Sequence, residues 1–122
     1  MSESDGKQFM IWKCYSFDAA HRLECVESGH PCGKLHGHTY RVRIECSGPL
    51  NEGGMIVDYA EIDRKILPII GRLDHSNLNS ELNFETTAEN LASWFYEMLK
   101  TSLPIHAVEV SETDDSGARY SL

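Results

Sequence analysis

Two histidines separated by one glycine, His36-Gly37-His38, are the first residues whose spacing can do chemistry. On an extended strand, side chains two apart point the same way, so both imidazoles can meet one ion. Gly37 removes bulk from the opposite face. His21, following an earlier strand-like stretch, can supply a third nitrogen. Three neutral imidazoles with no thiolate or carboxylate suit a catalytic Zn²⁺ site, which keeps its fourth position open. The same residues also read as pocket or core histidines satisfied by hydrogen bonds. Other N-binding divalent ions suit the set as well.

Cys32 lies four residues before His36, in a loop with Gly and Pro that can fold back over such an ion. A thiol beside a dication or cationic side chains loses its proton more easily, and the thiolate is a competent base or nucleophile. The plainer reading is an inert small hydrophobe, the expected state of Cys14 and Cys46. Leu73-Asp74-His75 follows a helical stretch, where an Asp and a His can serve a proton relay. A histidine at a helix C-terminus is also favoured simply by the helix dipole. Glu112 shares a strand face with Val108 and Val110, so alternation points its carboxylate inward, where it needs donors. A ligand with two adjacent N–H groups, such as a 2-amino-pyrimidinone ring, would satisfy both oxygens. At a frayed strand end the same carboxylate is merely solvated.

These residues need a scaffold, and hydrophobic periodicity predicts one. Phe9–Phe17 reads as a strand, residues 24–35 as a loop. The next strand is the clearest: His36, His38, Tyr40, Val42, Ile44 and Cys46 fall on one face, Thr39, Arg41, Arg43 and Glu45 on the other. Residues 47–54 form a turn, and Met55–Val57 is expected to resume the sheet. Asp58 and Glu61 resemble a capping box before a helix whose apolar stripe is Tyr59, Ile62, Ile66, Ile69 and Leu73. Pro68 should kink or end that helix. Thr86 and Glu89 form a second capping box, opening a helix with Leu91, Trp94, Phe95, Met98 and Leu99 inward. Strands over Ile105–Glu112 and near Ala118–Leu122 close the chain. The fold class expected is α+β, with two helices covering one face of a largely antiparallel sheet.

The chain has 122 residues, 41% hydrophobic and 25% charged, which predicts one globular domain over residues 7–122 behind a loose tail of residues 1–6. Formal net charge is −8 with the Lys and Arg scattered, which disfavours nucleic-acid and anionic-membrane partners. No run approaches the ~18 apolar residues of a membrane span. The polar start lacks the apolar stretch of a signal peptide, so the cytoplasm is the expected compartment. The four cysteines include no Cys-x-x-Cys pair and are expected to be free thiols.

Together these pieces resemble the 6-pyruvoyl-tetrahydropterin synthase / 6-carboxytetrahydropterin synthase family. The resemblance is carried by Phe17-Asp18-Ala19-Ala20-His21, Cys32-x3-His36-Gly37-His38, Ile56-Val57-Asp58, Leu73-Asp74-His75, Thr87-Ala88-Glu89-Asn90-Leu91 and Glu112-Thr113. It implies zinc on His21, His36 and His38, with Cys32 as the thiolate base and Asp74 and His75 completing the proton-transfer set. It implies Glu112 as the anchor of the pterin's amino-pyrimidinone edge and Thr87 as a secondary ring contact. The implied fold is the T-fold, assembling into barrels as a homo-oligomer, typically a hexamer, with active sites between subunits.

The short spacing from Cys32 to the His-x-His resembles the 6-carboxytetrahydropterin synthases of queuosine biosynthesis. The implied reaction converts 7,8-dihydroneopterin triphosphate to 6-carboxy-5,6,7,8-tetrahydropterin, releasing acetaldehyde and triphosphate. Two alternatives remain: 6-pyruvoyl-tetrahydropterin synthesis by triphosphate elimination, and a non-catalytic zinc- and pterin-binding module. Many family members carry Asn-Pro before the Thr-Ala-Glu segment, where this chain has Glu85-Thr86. Arg22 and Lys34 are the nearby cations for a triphosphate.

Overall fold

The structure is a computed structural model that describes residues 8–122; the expected tail over residues 1–6 lies outside the described residues. Strands β1 (Met10–His21) and β2 (His36–Ser47) pair antiparallel in unbroken register, ending with Ala19 opposite His38 and His21 opposite His36. The first strand thus runs four residues beyond the Phe17 end that its aromatic pattern predicts, and His21 is its last residue rather than part of the following loop. Pairing across from β2 extends Ala19–His21 where propensity alone does not. Between these strands a short 3₁₀ turn spans Pro31–Gly33.

After β2 the expected Met55–Val57 strand does not form. The Asn51 side-chain oxygen instead takes the amides of Gly53 and Met55, and the Asn51 amide donates to the Met55 carbonyl at 2.7 Å. A ladder over Met55–Val57 would have needed the Met55 amide and carbonyl. Helix α1 (Tyr59–Leu73) is capped by Asp58, whose side chain accepts from the Ala60 amide at 2.8 Å. It runs through Pro68 without ending. Pro68 is exposed while Ile66 and Ile70 are buried on either side, so packing holds both halves despite one missing backbone bond. Strand β3 (Ser76–Asn77) and helix α2 (Leu78–Glu81) were not anticipated.

Helix α3 (Ala88–Leu99) starts one residue later than the Thr86–Glu89 spacing predicts. Thr87 is its N-cap, accepting from the Asn90 amide at 3.1 Å, which frees the Thr86 hydroxyl for another partner. Its buried stripe is Leu91, Ala92, Phe95, Tyr96 and Leu99; Met98 is exposed and Trp94 half-buried. Strands β4 (Ile105–Thr113) and β5 (Ser116–Ser121) form the closing hairpin. The sheet order is β3-β1-β2-β4-β5, antiparallel except for the short β1–β3 pair, so the sheet is mixed rather than wholly antiparallel.

The two long helices cover the same sheet face, as expected. On that side Asp63 of α1 takes Lys13 and the Tyr15 hydroxyl at 2.6 Å each, Phe17 meets Phe95 at 6.3 Å, and Tyr96 of α3 meets Tyr120 at 5.1 Å. Tyr40, Val42, Ile44, Val108 and Val110 are buried beneath them, each aliphatic side chain contributing about 1.5–3 kcal/mol. The other face carries Trp12, Cys14, Ser16 and Asp18, all exposed, with the Arg43 guanidinium 4.5 Å from the Trp12 ring centroid. Glu45 is the buried exception there, held by Arg43 at 3.1 Å and Arg119 at 2.7 Å. Among the described residues, no helix is long and apolar enough to cross a membrane.

Candidate metal and ligand site

The β1–β2 register builds the site. His21 and His36 face each other across the strands, and His38 lies two residues on along the same face. Ring centroids are 4.7 Å apart for His21–His36, 4.8 Å for His36–His38 and 5.2 Å for His21–His38. One nitrogen from each ring lies within 4.8 Å of the other two. A one-residue slip would send His36 and His38 to the opposite face, so the apolar pattern that sets the register also assembles the triad.

Two of the rings have their orientation fixed by acceptors. His21 Nδ1 lies 2.9 Å from the Thr86 carbonyl and 3.0 Å from its hydroxyl, and His36 Nδ1 lies 2.7 Å from the Lys34 carbonyl. A carbonyl only accepts, so both Nδ1 atoms carry a proton, which leaves Nε2 as the nitrogen each ring can offer to an ion. Burial, followed by the neighbouring His36, lowers the His21 pKa to about 4, so this ring is neutral at pH 7. The Glu112 carboxylate nevertheless lies 3.4 Å from His21 Nε2 and 3.9 Å from His38 Nε2. With His21 neutral, the closer contact is no ion pair: two acceptors face each other. A cation between or beside them resolves that conflict, and three imidazole nitrogens are a fitting donor set for Zn²⁺. The residues therefore fit a bound metal.

Glu112 points to the triad side, as alternation predicts, and its side chain is 28% exposed, so it is reachable from outside. Tyr40 lies beneath, fully buried, with its ring centroid 5.4 Å from His38 and 5.7 Å from His21. Burial, then the Glu112 charge, pushes its phenol above the ordinary range, so it stays a neutral donor. Among the described residues its hydroxyl is the one buried side-chain polar atom without a hydrogen-bond partner.

Cys32 sits in the 3₁₀ turn, half-buried. Its carbonyl accepts from the Leu23 amide at 2.7 Å, pinning the turn to the chain just beyond His21, and its amide donates to His30 Nδ1 at 3.0 Å. Its sulfur is not part of the close nitrogen cluster. Cys14, Cys25 and Cys46 are likewise free, and burial raises the Cys46 thiol to about 11. Thr87 is engaged as the α3 cap.

Asp74 and His75 are not brought to the triad. They gather with Asp18 as a separate cluster at the β1 edge. The Asp18 amide donates to Asp74 Oδ1 at 2.9 Å, and the His75 amide donates to the Asp18 carbonyl at 2.6 Å. That amide contact and the adjacent His75 hold the Asp74 carboxyl below the usual range. His75 adopts φ 60°, is 80% exposed, and places Nδ1 3.0 Å from Asp74 Oδ2. It borders a shallow depression of about 540 Å³ with Asp18, Ala20, Gly37 and Thr39. Arg22 and Lys34 line a different depression of about 360 Å³, together with Glu24 and Glu27.

Thr86 is the contact that sequence reading missed. Its Thr-x-x-Glu spacing suggested a helix cap, whereas its hydroxyl holds a site histidine 65 residues away. Only the departure of Glu85-Thr86 from the expected dipeptide marked the position.

Known proteins resemble this chain in sequence and fold. The sequence matches the family described as 6-pyruvoyl tetrahydropterin synthase over residues 10–122. It is 36% identical over 121 residues to the 6-carboxy-5,6,7,8-tetrahydropterin synthase of Synechocystis sp., covering 92% of each chain. Identity to the Haemophilus influenzae enzyme of the same name is 30% over 142 residues, covering 92% of this chain and 98% of that one. The solved structure of Caenorhabditis elegans 6-pyruvoyl tetrahydropterin synthase aligns with a TM-score of 0.85 at 25% identity, covering 94% of this chain and 96% of that one. The mixed sheet of this chain, with helices on one face, is the T-fold that the motifs implied. With agreement in sequence, topology and length from one end of the described chain to the other, this protein belongs to the 6-pyruvoyl tetrahydropterin synthase family.

Proposed function

We propose that this chain is a zinc-dependent 6-carboxytetrahydropterin synthase of the queuosine route, acting in the cytoplasm on 7,8-dihydroneopterin triphosphate. One water is consumed, its oxygen completing the carboxylate; acetaldehyde and triphosphate leave, and 6-carboxy-5,6,7,8-tetrahydropterin is the product. The observation that carries the reading is the convergence of His21, His36 and His38 beside Glu112. Relatives named for this activity, similar over nearly their whole length, support it, and relatives named for the pyruvoyl-forming enzyme give the alternative similar support.

His21, His36 and His38 would hold the zinc. When bound, the metal polarises the oxygens of the substrate side chain and acidifies the neighbouring C–H and O–H bonds. Glu112 accepts the two N–H groups of the amino-pyrimidinone edge and so fixes the ring, with Thr87 as a secondary contact. Cys32 acts as the base that takes a proton from the side chain. His75, oriented by Asp74 through its Nδ1, exchanges a proton from its exposed side. The Asp74–His75 pair stands apart from the triad within one chain, which favours a site completed by a neighbouring subunit. A homo-oligomer, a hexamer in this reading, would bring the halves together and cover the open sheet face around Trp12 and Arg43 by closing it into a barrel.

Mass analysis of the products from dihydroneopterin triphosphate, with and without a chelator, tests the assignment. Acetaldehyde formed only in the metal-replete reaction is expected. Triphosphate release without acetaldehyde would move the protein to the pyruvoyl-forming class. Binding without turnover would make it a non-catalytic module.

A further inference from the structure

We propose that Thr86 is a positioning residue for the metal ligand His21, its hydroxyl and carbonyl together fixing the ring so that Nε2 is the free donor. The proposal rests on the metal reading above and deepens it.

His21 is 1% exposed, so its Nδ1 has no access to bulk water. Thr86, itself fully buried, supplies both partners of that nitrogen, at 2.9 and 3.0 Å. The carbonyl demands a proton on Nδ1, and the hydroxyl oxygen lies where it can accept part of the same bond. Partners of this kind on the far nitrogen of a metal-bound histidine set its tautomer, orientation and basicity. His36 differs, because its Nδ1 partner is the carbonyl of Lys34, two residues away on an exposed stretch.

Thr86 is held firmly enough to do this. Its neighbour Thr87 caps α3, and Asn90 Nδ2 donates back to the Glu85 carbonyl at 2.9 Å. The Glu85 carboxylate accepts from the Glu24 amide at 2.5 Å, in the loop that also carries Cys32. Residues 85–87 thus tie the start of α3 to the end of β1 and the base of the Cys32 loop. The start of a helix, remote in sequence, orients the most buried of the three ligands.

Zn²⁺ affinity of the full-length protein, measured by competition with a chromophoric chelator, tests the proposal. Thr86→Val removes the hydroxyl while leaving the backbone carbonyl. Loss of about 10-fold in affinity is expected, the low end of the range for such partners because one acceptor remains. Thr86→Ser should bind Zn²⁺ as the wild type does. The visible spectrum of the Co²⁺-substituted protein should change in Thr86→Val and not in Thr86→Ser. Thermal unfolding of the metal-free variants separates these effects from folding, and Thr86→Ala replaces Thr86→Val if the latter does not fold. Nitrogen NMR of the metal-free wild type gives an independent reading: His21 should be the Nδ1–H tautomer near neutral pH.

Wild-type affinity in Thr86→Val, equal losses in Val and Ser variants, or an Nε2–H tautomer would each overturn the proposal while leaving the metal reading intact. A wild-type chain that takes up no zinc would instead sink both.

Discussion

Exclusion of a proton from His21 should give the metal-free protein a measurable acid sensitivity. In the unfolded chain this histidine titrates near its ordinary 6.5; in the fold its pKa falls to about 4, through burial first and His36 second. Between those values the unfolded chain binds a proton that the folded chain refuses. Stability therefore rises with pH across the window: the contribution is complete above 6.5 and is lost as pH falls to about 4. A gap of that size corresponds to about 3 kcal/mol, reasonable for a ring that is 1% exposed. His21→Gln removes the titration and keeps an N–H for the Thr86 carbonyl. Urea unfolding of both metal-free proteins, followed by tryptophan fluorescence from about pH 8 to about pH 4, isolates the effect, because other groups bend both curves alike. The difference between wild type and variant should change by about 3 kcal/mol across the window. A flat difference would refute the reasoning. A difference of opposite sign, with stability falling as pH rises, would mean that the Glu112 carboxylate, 3.4 Å from Nε2, keeps the ring protonated and the pair charged.

Two further outcomes follow from the same geometry. Glu112→Gln should retain one zinc per chain, because three imidazoles remain, while weakening pterin binding by about 10-fold or more, checked by metal analysis and ligand titration. Loss of zinc in that variant would make Glu112 a fourth ligand and the centre a closed one. Tyr40→Phe keeps the ring stacked 5.0 Å from Phe17 and deletes the unpartnered hydroxyl. Metal-free stability should rise by about 1 kcal/mol in a denaturant titration, and a fall would show that the hydroxyl has a stabilising partner.

The helix-forming and strand-forming segments were legible wherever one face alone is buried. From His36 to Cys46 the alternation in the sequence is the alternation in the fold, because a sheet face packed under helices enforces a two-residue period. Short-range competition defeated the pattern elsewhere: Asn51 captured the Met55 amide and carbonyl that a Met55–Val57 strand would have used. Packing defeated it at Pro68, where buried isoleucines on both sides outweigh one missing hydrogen bond.

For the site, the sequence alone determined which atoms are present: a His-x-His on a strand, a third histidine, a thiol in a short loop and a carboxylate facing inward. Those follow from residue type and local spacing, and both are properties of neighbours along the chain. Only the tertiary structure decided which of them meet. Strand register set His21 against His36, the start of α3 delivered Thr86 to His21, and the loop after α1 bound Asp18 and carried His75 away from the three imidazoles. The apolar faces of the two strands set the first of these contacts; the other two join residues far apart in sequence, and their meeting is dictated by how the helices pack on the sheet, which no local pattern encodes.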